Sequence, residues 1–288
     1  MPAADTAIAQ DRPEPTRTAA AGPPATRGPN RASLPVSAWE IARRAILKFL
    51  RTPQLIVVGT LQGAMFLLIF RYVFGGAIHS SGISYVDFLV PGYITTSVLF
   101  AGMGAAAAVA EDLQQGFIDR LRSLPIPRSS ALTGRVVADV ILLVWSLIIT
   151  SAIGFAVGFR LGGTVPEALG AFALCAVFGF AVDWLFIALG MVAGTPQAAQ
   201  GLGFMVFPFT FVSSAFVPVS SMPGWMQSFA ANQPITMMVD SVRALTLGPT
   251  ATHVLGHGAG YFVTRAVLWA AAFVVVFAPL AIARYRRG

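Results

Sequence analysis

Residues 131–158 read ALTGRVVADVILLVWSLIITSAIGFAVG, and their reading decides the fold. After Asp139 no charged side chain occurs until Arg160. A helix rises 1.5 Å per residue, so about 20 apolar residues cross roughly 30 Å of hydrocarbon. The apolar residues run on without alternation, unlike a barrel strand, whose apolar positions alternate with polar ones. Five similar runs lie at about 54–74, 86–110, 166–193, 199–220 and 259–283. The expected fold is an all-α polytopic membrane protein with six transmembrane helices, its membrane domain covering residues 52–288.

Composition leads to the same class. The 288 residues are 56% hydrophobic and only 11% charged, with a mean hydropathy of +0.73. A soluble domain of this length needs far more surface charge. The net charge of +7 does not mark a nucleic-acid binder, because the basic residues cluster at particular ends of the apolar runs. Arg43, Arg44, Lys48 and Arg51 precede the first run, Arg120, Arg122 and Arg128 follow the second, and Arg284, Arg286 and Arg287 follow the sixth. The other side holds only Arg160 and Arg243, with Arg71 and Arg265 near outer helix ends. Positive residues favour the inner face, so both termini are expected in the cytoplasm. Cys175 is the only cysteine, which removes an intrachain disulfide or thiolate metal site.

Residues 1–35 are rich in Pro, Ala, Thr and Arg and lack an apolar stretch. They are expected to be a disordered cytoplasmic tail and not a secretory signal peptide. From Val36 to Arg51 a helical period appears. Trp39, Ala42, Ile46 and Phe49 share one face, and Glu40, Arg43, Arg44, Lys48 and Arg51 the other. That is the pattern of a helix lying in the membrane interface; the alternative is a short cytosolic helix.

Two longer connections are where function is expected. In the first, Leu113, Phe117, Leu121 and Leu124 form one stripe, opened by Glu111 and Asp112 and stopped by Pro125 and Pro127. Such a helix either lies on the bilayer or plugs into a groove on a cytosolic partner. In the second, Pro223 and Pro234 each sit where a short helix would begin. Trp225, Met226 and Phe229 give one an apolar side; Ile235, Met238, Val242 and Leu245 stripe the other. These external helices are expected to re-enter the outer leaflet, with Asp240 and Arg243 paired on a polar side.

Charges within the runs are functional candidates. Asp139 has Arg135 one turn away as a local partner, whereas Asp183 has none nearby in sequence. Asp183 could contact substrate, carry a proton or pair with a neighbouring helix. His253 and His257 have a metal-ligand spacing but no adjacent carboxylate. No phosphate-cradling G-x-x-x-x-G-K-[ST], H-E-x-x-H or G-x-S-x-G occurs, so the chain is not expected to be an enzyme or to bind ATP itself.

The chain resembles the ABC-2 type permeases, and within them the actinobacterial daunorubicin/doxorubicin-resistance permeases. The resemblance rests on E-D-x-x-x-G-F-x-x-R-L-x-x-L-P-I-P-R at 111–128, F-V-P-V-S-S-M-P-G-W-M-Q at 216–227 and N-Q-P-I-T-x-x-V-D-x-V-R-A-L at 232–245. F-R-Y-V-F-G-G at 70–76 and V-P-G-Y at 90–93 extend it over about 36–287. Gln233 departs from the pattern, since many members read Asn-Pro directly. The resemblance implies a connecting helix at 36–51 and a coupling helix at 112–124, the latter using Glu111, Asp112, Gly116, Phe117, Arg120, Leu121 and Leu124. In the expected mechanism the external segments open as a gate around Pro223, Trp225, Asn232, Pro234, Asp240 and Arg243. The resemblance also implies a homodimer or heterodimer of permeases in the bacterial plasma membrane, working with two copies of an ABC ATP-binding subunit that carry the ATP and Mg. The cargo would be a hydrophobic or amphipathic small molecule, such as an antibiotic or drug, or else a cell-envelope lipid or polysaccharide precursor. A proton-coupled transporter using Asp183 is the rival mechanism.

Overall fold

The computed structural model describes residues 34–76, 82–117 and 129–287. The expected tail at 1–35 lies outside these residues except for its last two positions, which begin the first helix. Among the described residues all regular structure is helical. Helix α1 spans Leu34–Leu50, α2 Pro53–Ile69, α3 Tyr85–Gln114, α4 Ser129–Ala156 and α5 Val165–Ala193. Then come short helices α6 (Pro196–Phe204), α7 (Phe207–Phe211), α8 (Gly224–Asn232), α9 (Pro234–Leu247) and α10 (Pro249–Leu255), followed by the long α11 (Ala259–Arg287). α2 continues through one wide π turn, Phe70–Phe74.

Among the described residues five helices are long and apolar enough to cross a membrane: α2 with its π turn, α3, α4, α5 and α11. The chain is therefore a multi-pass membrane protein. The run at 199–220 is built differently. α6 ends at Phe204, α7 restarts at Phe207, and a short 3-10 turn follows at Val219–Ser221. Pro208 in the first turn of α7 has no N–H for a continuous helix, so hydrophobicity there does not carry helical continuity.

The core lies between α3 and α5, whose buried residues run nearly their full length. Small residues let these backbones approach: Gly102 faces the Phe186 ring, and Gly190 faces the Ala106 carbonyl. Both helices are capped, α3 by Ser84 accepting from the Asp87 amide, and α5 by a reciprocal pair in which Thr164 and Glu167 bond each other's backbone. Helices α2 and α11 leave most of their apolar surface outward, as lipid-facing helices do.

α1 seats on α4. A Cβ placed on Gly134 would come within 2.6 Å of the Ala38 carbonyl, so only glycine permits this approach. Ile41 packs its side chain directly over Gly134, and Ser37, Ala38 and Ala42 of α1 are buried. Trp39, on the apolar face expected to meet the membrane interface, is 54% exposed.

α9 corrects another expectation. The sequence predicts an amphipathic external helix with a polar side, yet twelve of its residues are buried, Asp240 and Arg243 among them. It is inserted between α3, α5 and α11. α10 was not expected; Pro249 stands in its first turn.

Candidate functional site

Two features stand out, a cavity at one end of the bundle and a buried latch at the other. The cavity has a volume of about 920 Å3 and is bounded by α1 to α6 with part of α7. It follows α3 from Tyr93 to Asp112, about 28 Å at helical rise. Aromatic side chains, among them Phe66, Tyr93, Phe100, Trp145 and Phe207, line it. Gly59 and Gly104 face it with no side chain and nothing within 4 Å of where a Cβ would stand.

The end near Asp112 is charged. Lys48 on α1 donates to Glu111 at 3.0 Å, and Arg44 lies 3.9 Å from Asp112. Arg135 on α4 donates to Asp139 at 2.7 Å, the local pair expected from their spacing, and also lies 3.8 Å from Asp112. Asp183 on α5 is buried beside this group, and its Oδ2 has no hydrogen-bond partner.

This geometry revises the coupling segment. Glu111 and Asp112 do not open a new helix; they end α3, which stops at Gln114. Gly116 has φ +63°, a left-handed conformation that favours glycine and breaks the stripe between Leu113 and Phe117. Phe117 lies under the Arg44 guanidinium, 3.8 Å from carbon to ring centroid. Glu111, Asp112 and Phe117 are thus all tied to α1. Arg120, Leu121 and Leu124 lie outside the described residues.

At the opposite end Arg243 is completely buried. Its Nη1 donates to Asp240 at 2.6 Å; its Nη2 donates to the carbonyls of Phe88 and Ser214, both at 2.9 Å. The guanidinium carbon sits 3.7 Å from the Phe88 ring centroid. Ser214 donates its hydroxyl to Asp240 at 2.8 Å. Burial pushes the Arg243 guanidinium down to about 10, which leaves it charged at neutral pH, and pushes the Asp240 carboxyl up. Gly92 completes the approach, because a Cβ there would strike the Ala215 carbonyl.

The rest of the expected gate surrounds this latch without joining it. Pro223 precedes α8 and Pro234 opens α9. Trp225 is 79% exposed. Asn232 accepts from Arg265 at 3.4 Å. Gln233, the departure from the family pattern, is buried and donates its amide to the carbonyls of Phe209 and Val212, the orphaned end of α7. Phe88, Ser214 and Gln233 were missed by sequence reasoning. Only Gln233 carried a signal. His257 stacks on Tyr261 at 4.1 Å.

The membrane bundle thus has an internal cavity with a charged end, α1 beside that end, and a locked segment at the other, an arrangement in keeping with a transporter's membrane subunit. The chain belongs to the ABC-2 type transporter family, whose model matches residues 37–247. It is 35% identical over 246 residues to the daunorubicin resistance ABC transporter permease protein DrrB1 of Streptomyces coeruleorubidus, covering 84% of this chain and 83% of that protein. It is 26% identical over 233 residues to the probable doxorubicin resistance permease DrrC of Mycobacterium tuberculosis, covering 77% and 78%. A putative transport permease, ycf38 of Pyropia yezoensis, is 26% identical over 210 residues, covering 70% and 71%. The chain is thus a transport permease of the ABC type, and the family implies an ABC ATP-binding partner that hydrolyses ATP.

Proposed function

We propose that this chain is the permease subunit of an ATP-driven exporter of hydrophobic or amphipathic compounds, with antibiotic-like drugs as the first cargo to try. The aromatic-lined cavity of about 920 Å3 is the observation that carries this reading. The drug-resistance names of two relatives support the cargo class. The complex has two permeases, identical or similar, and two ATP-binding subunits holding ATP and Mg, in the bacterial plasma membrane. A sixth crossing is made by the broken segment 196–221. In support of it, Gly203 faces Met103 and Ala215 meets Gly92, so the segment follows α3 for about 16 Å at helical rise. Both termini are cytoplasmic, and α1 lies in the interface.

Energy enters at the end of α3. Closure of the partner pushes Phe117 and the residues after it, including Arg120, Leu121 and Leu124. The Arg44, Lys48 and Arg135 contacts pass the push to α1 and α4 as rigid bodies. At the other end, segment 216–247 with Pro223, Trp225, Asn232, Pro234, Asp240 and Arg243 forms the gate.

The test is drug uptake into inside-out vesicles carrying the permease and its ATP-binding subunit. Uptake that requires ATP, is blocked by vanadate and resists uncouplers is expected. Uptake abolished by uncouplers and indifferent to the ATP-binding subunit would replace this reading with proton-coupled transport.

A further inference from the structure

We infer that Asp183 is the counter-ion for a positive charge on the transported compound, so that the cavity selects aromatic cations over anions of the same size. This rests on the reading of the cavity as the cargo path. Every other acidic side chain at the charged end is paired: Glu111 with Lys48, Asp112 with Arg44, and Asp139 with Arg135. Arg135 is already divided between Asp139 and Asp112. Among the described residues no ion pair reaches Asp183. It is only 5% exposed, it lines the cavity, and its Oδ2 has no hydrogen-bond partner.

The charge count around the cavity points the same way. Glu111, Asp112, Asp139 and Asp183 face Lys48, Arg44 and Arg135, which leaves one acid in excess. A buried carboxyl without a partner is costly, and in membrane proteins such groups mark ligand and ion paths. The cavity walls match that partner. Aromatic faces are electron-rich and attract cations, and Phe66, Tyr93, Phe100, Trp145 and Phe207 supply them. A bulky aromatic cation would thus rest its rings on these side chains and set its charge toward Asp183.

Tetraphenylphosphonium and tetraphenylborate share size and shape but differ in sign, which isolates the role of charge. Equilibrium binding of each is measured on the full chain in neutral-lipid nanodiscs, with empty nanodiscs subtracted. The wild-type protein is expected to prefer the cation by at least tenfold. Asp183→Asn should reduce that preference to below threefold, and Asp183→Glu should keep most of it. Equal affinity of the wild-type protein for both ions overturns the inference without any substitution, as does a preference that survives Asp183→Asn. Gly104→Trp, which fills the cavity from a position with open space, separates the two readings. If it leaves binding of both ions intact, the cavity is not the binding place. If it abolishes binding but the sign preference is absent in the wild-type protein, the cavity stands and the role of Asp183 falls.

Discussion

Phe88 holds Arg243 twice, through the face of its ring at 3.7 Å and through its backbone carbonyl at 2.9 Å. Ring and carbonyl belong to one residue of α3, so the guanidinium of α9 cannot shift along α3 without losing both. Pro91, three residues on, has no N–H to offer the helix. The latch therefore sits where α3 is already short of one internal hydrogen bond.

Asp240→Asn should leave a buried arginine charge without its carboxylate. Breaking one partner of a buried pair costs about 3–5 kcal/mol, more than replacing both. Thermal unfolding in detergent should show a larger loss for Asp240→Asn than for the double variant Asp240→Leu with Arg243→Met. Arg243→Lys should also lose stability, since one ammonium cannot reach Asp240, Phe88 and Ser214 in the fork geometry.

Gln233→Leu should destabilise the chain by about 1–3 kcal/mol, the usual loss when a buried acceptor goes unpaired. Two carbonyls at the end of α7 depend on this amide. Gln233→Asn, one methylene shorter, should not restore them. Denaturant or heat titration of the purified variants measures both.

Much of the architecture is legible in the sequence. Length and hydropathy placed α2, α3, α4, α5 and α11 within a few residues, because crossing the bilayer demands a minimum apolar length. Hydropathy says nothing about continuity, and so 199–220 reads as one helix although it contains Pro208 and the glycines at 201 and 203. The site was legible only where it is local. Arg135 with Asp139 and Asp240 with Arg243 follow from spacing along one helix. The burial of Arg243 does not, since Phe88 is 155 residues away and Ser214 is 29. Glu111 and Asp112 were misplaced because acidic residues suit a helix start, while Gly116 marked the stop that the chain uses.

Gly92→Ala and Gly104→Ala should part company. The first drives a methyl into the Ala215 carbonyl, and overpacking of this kind costs about 1–3 kcal/mol. The second meets open space within a helix and should gain about 0.4–1 kcal/mol from a stiffer unfolded chain. Melting temperatures of the two variants, run side by side, give the comparison.

Lys48→Glu should weaken drug-stimulated ATPase activity of the assembled transporter severalfold, and Lys48→Glu combined with Glu111→Lys should recover most of it. The exposed pair contributes at most about 1 kcal/mol to stability, so a folding defect would not account for the loss. Equal activity in all three proteins would remove this contact from the path of energy transfer.

The seat of α1 on Gly134 also bears on how the protein is made. Ala38 leaves the ribosome well before Gly134 exists, so α1 is synthesised with its docking site still to come. On the proposed reading of α1 as an interfacial helix, its basic and apolar faces would let it rest on the lipid surface meanwhile. Only when α4 has entered the bilayer can Ala38 and Ile41 of α1 close on that glycine, which makes this contact a late step in assembly. A bulkier residue at position 134 would then spare synthesis and insertion of every helix and still leave the first one undocked.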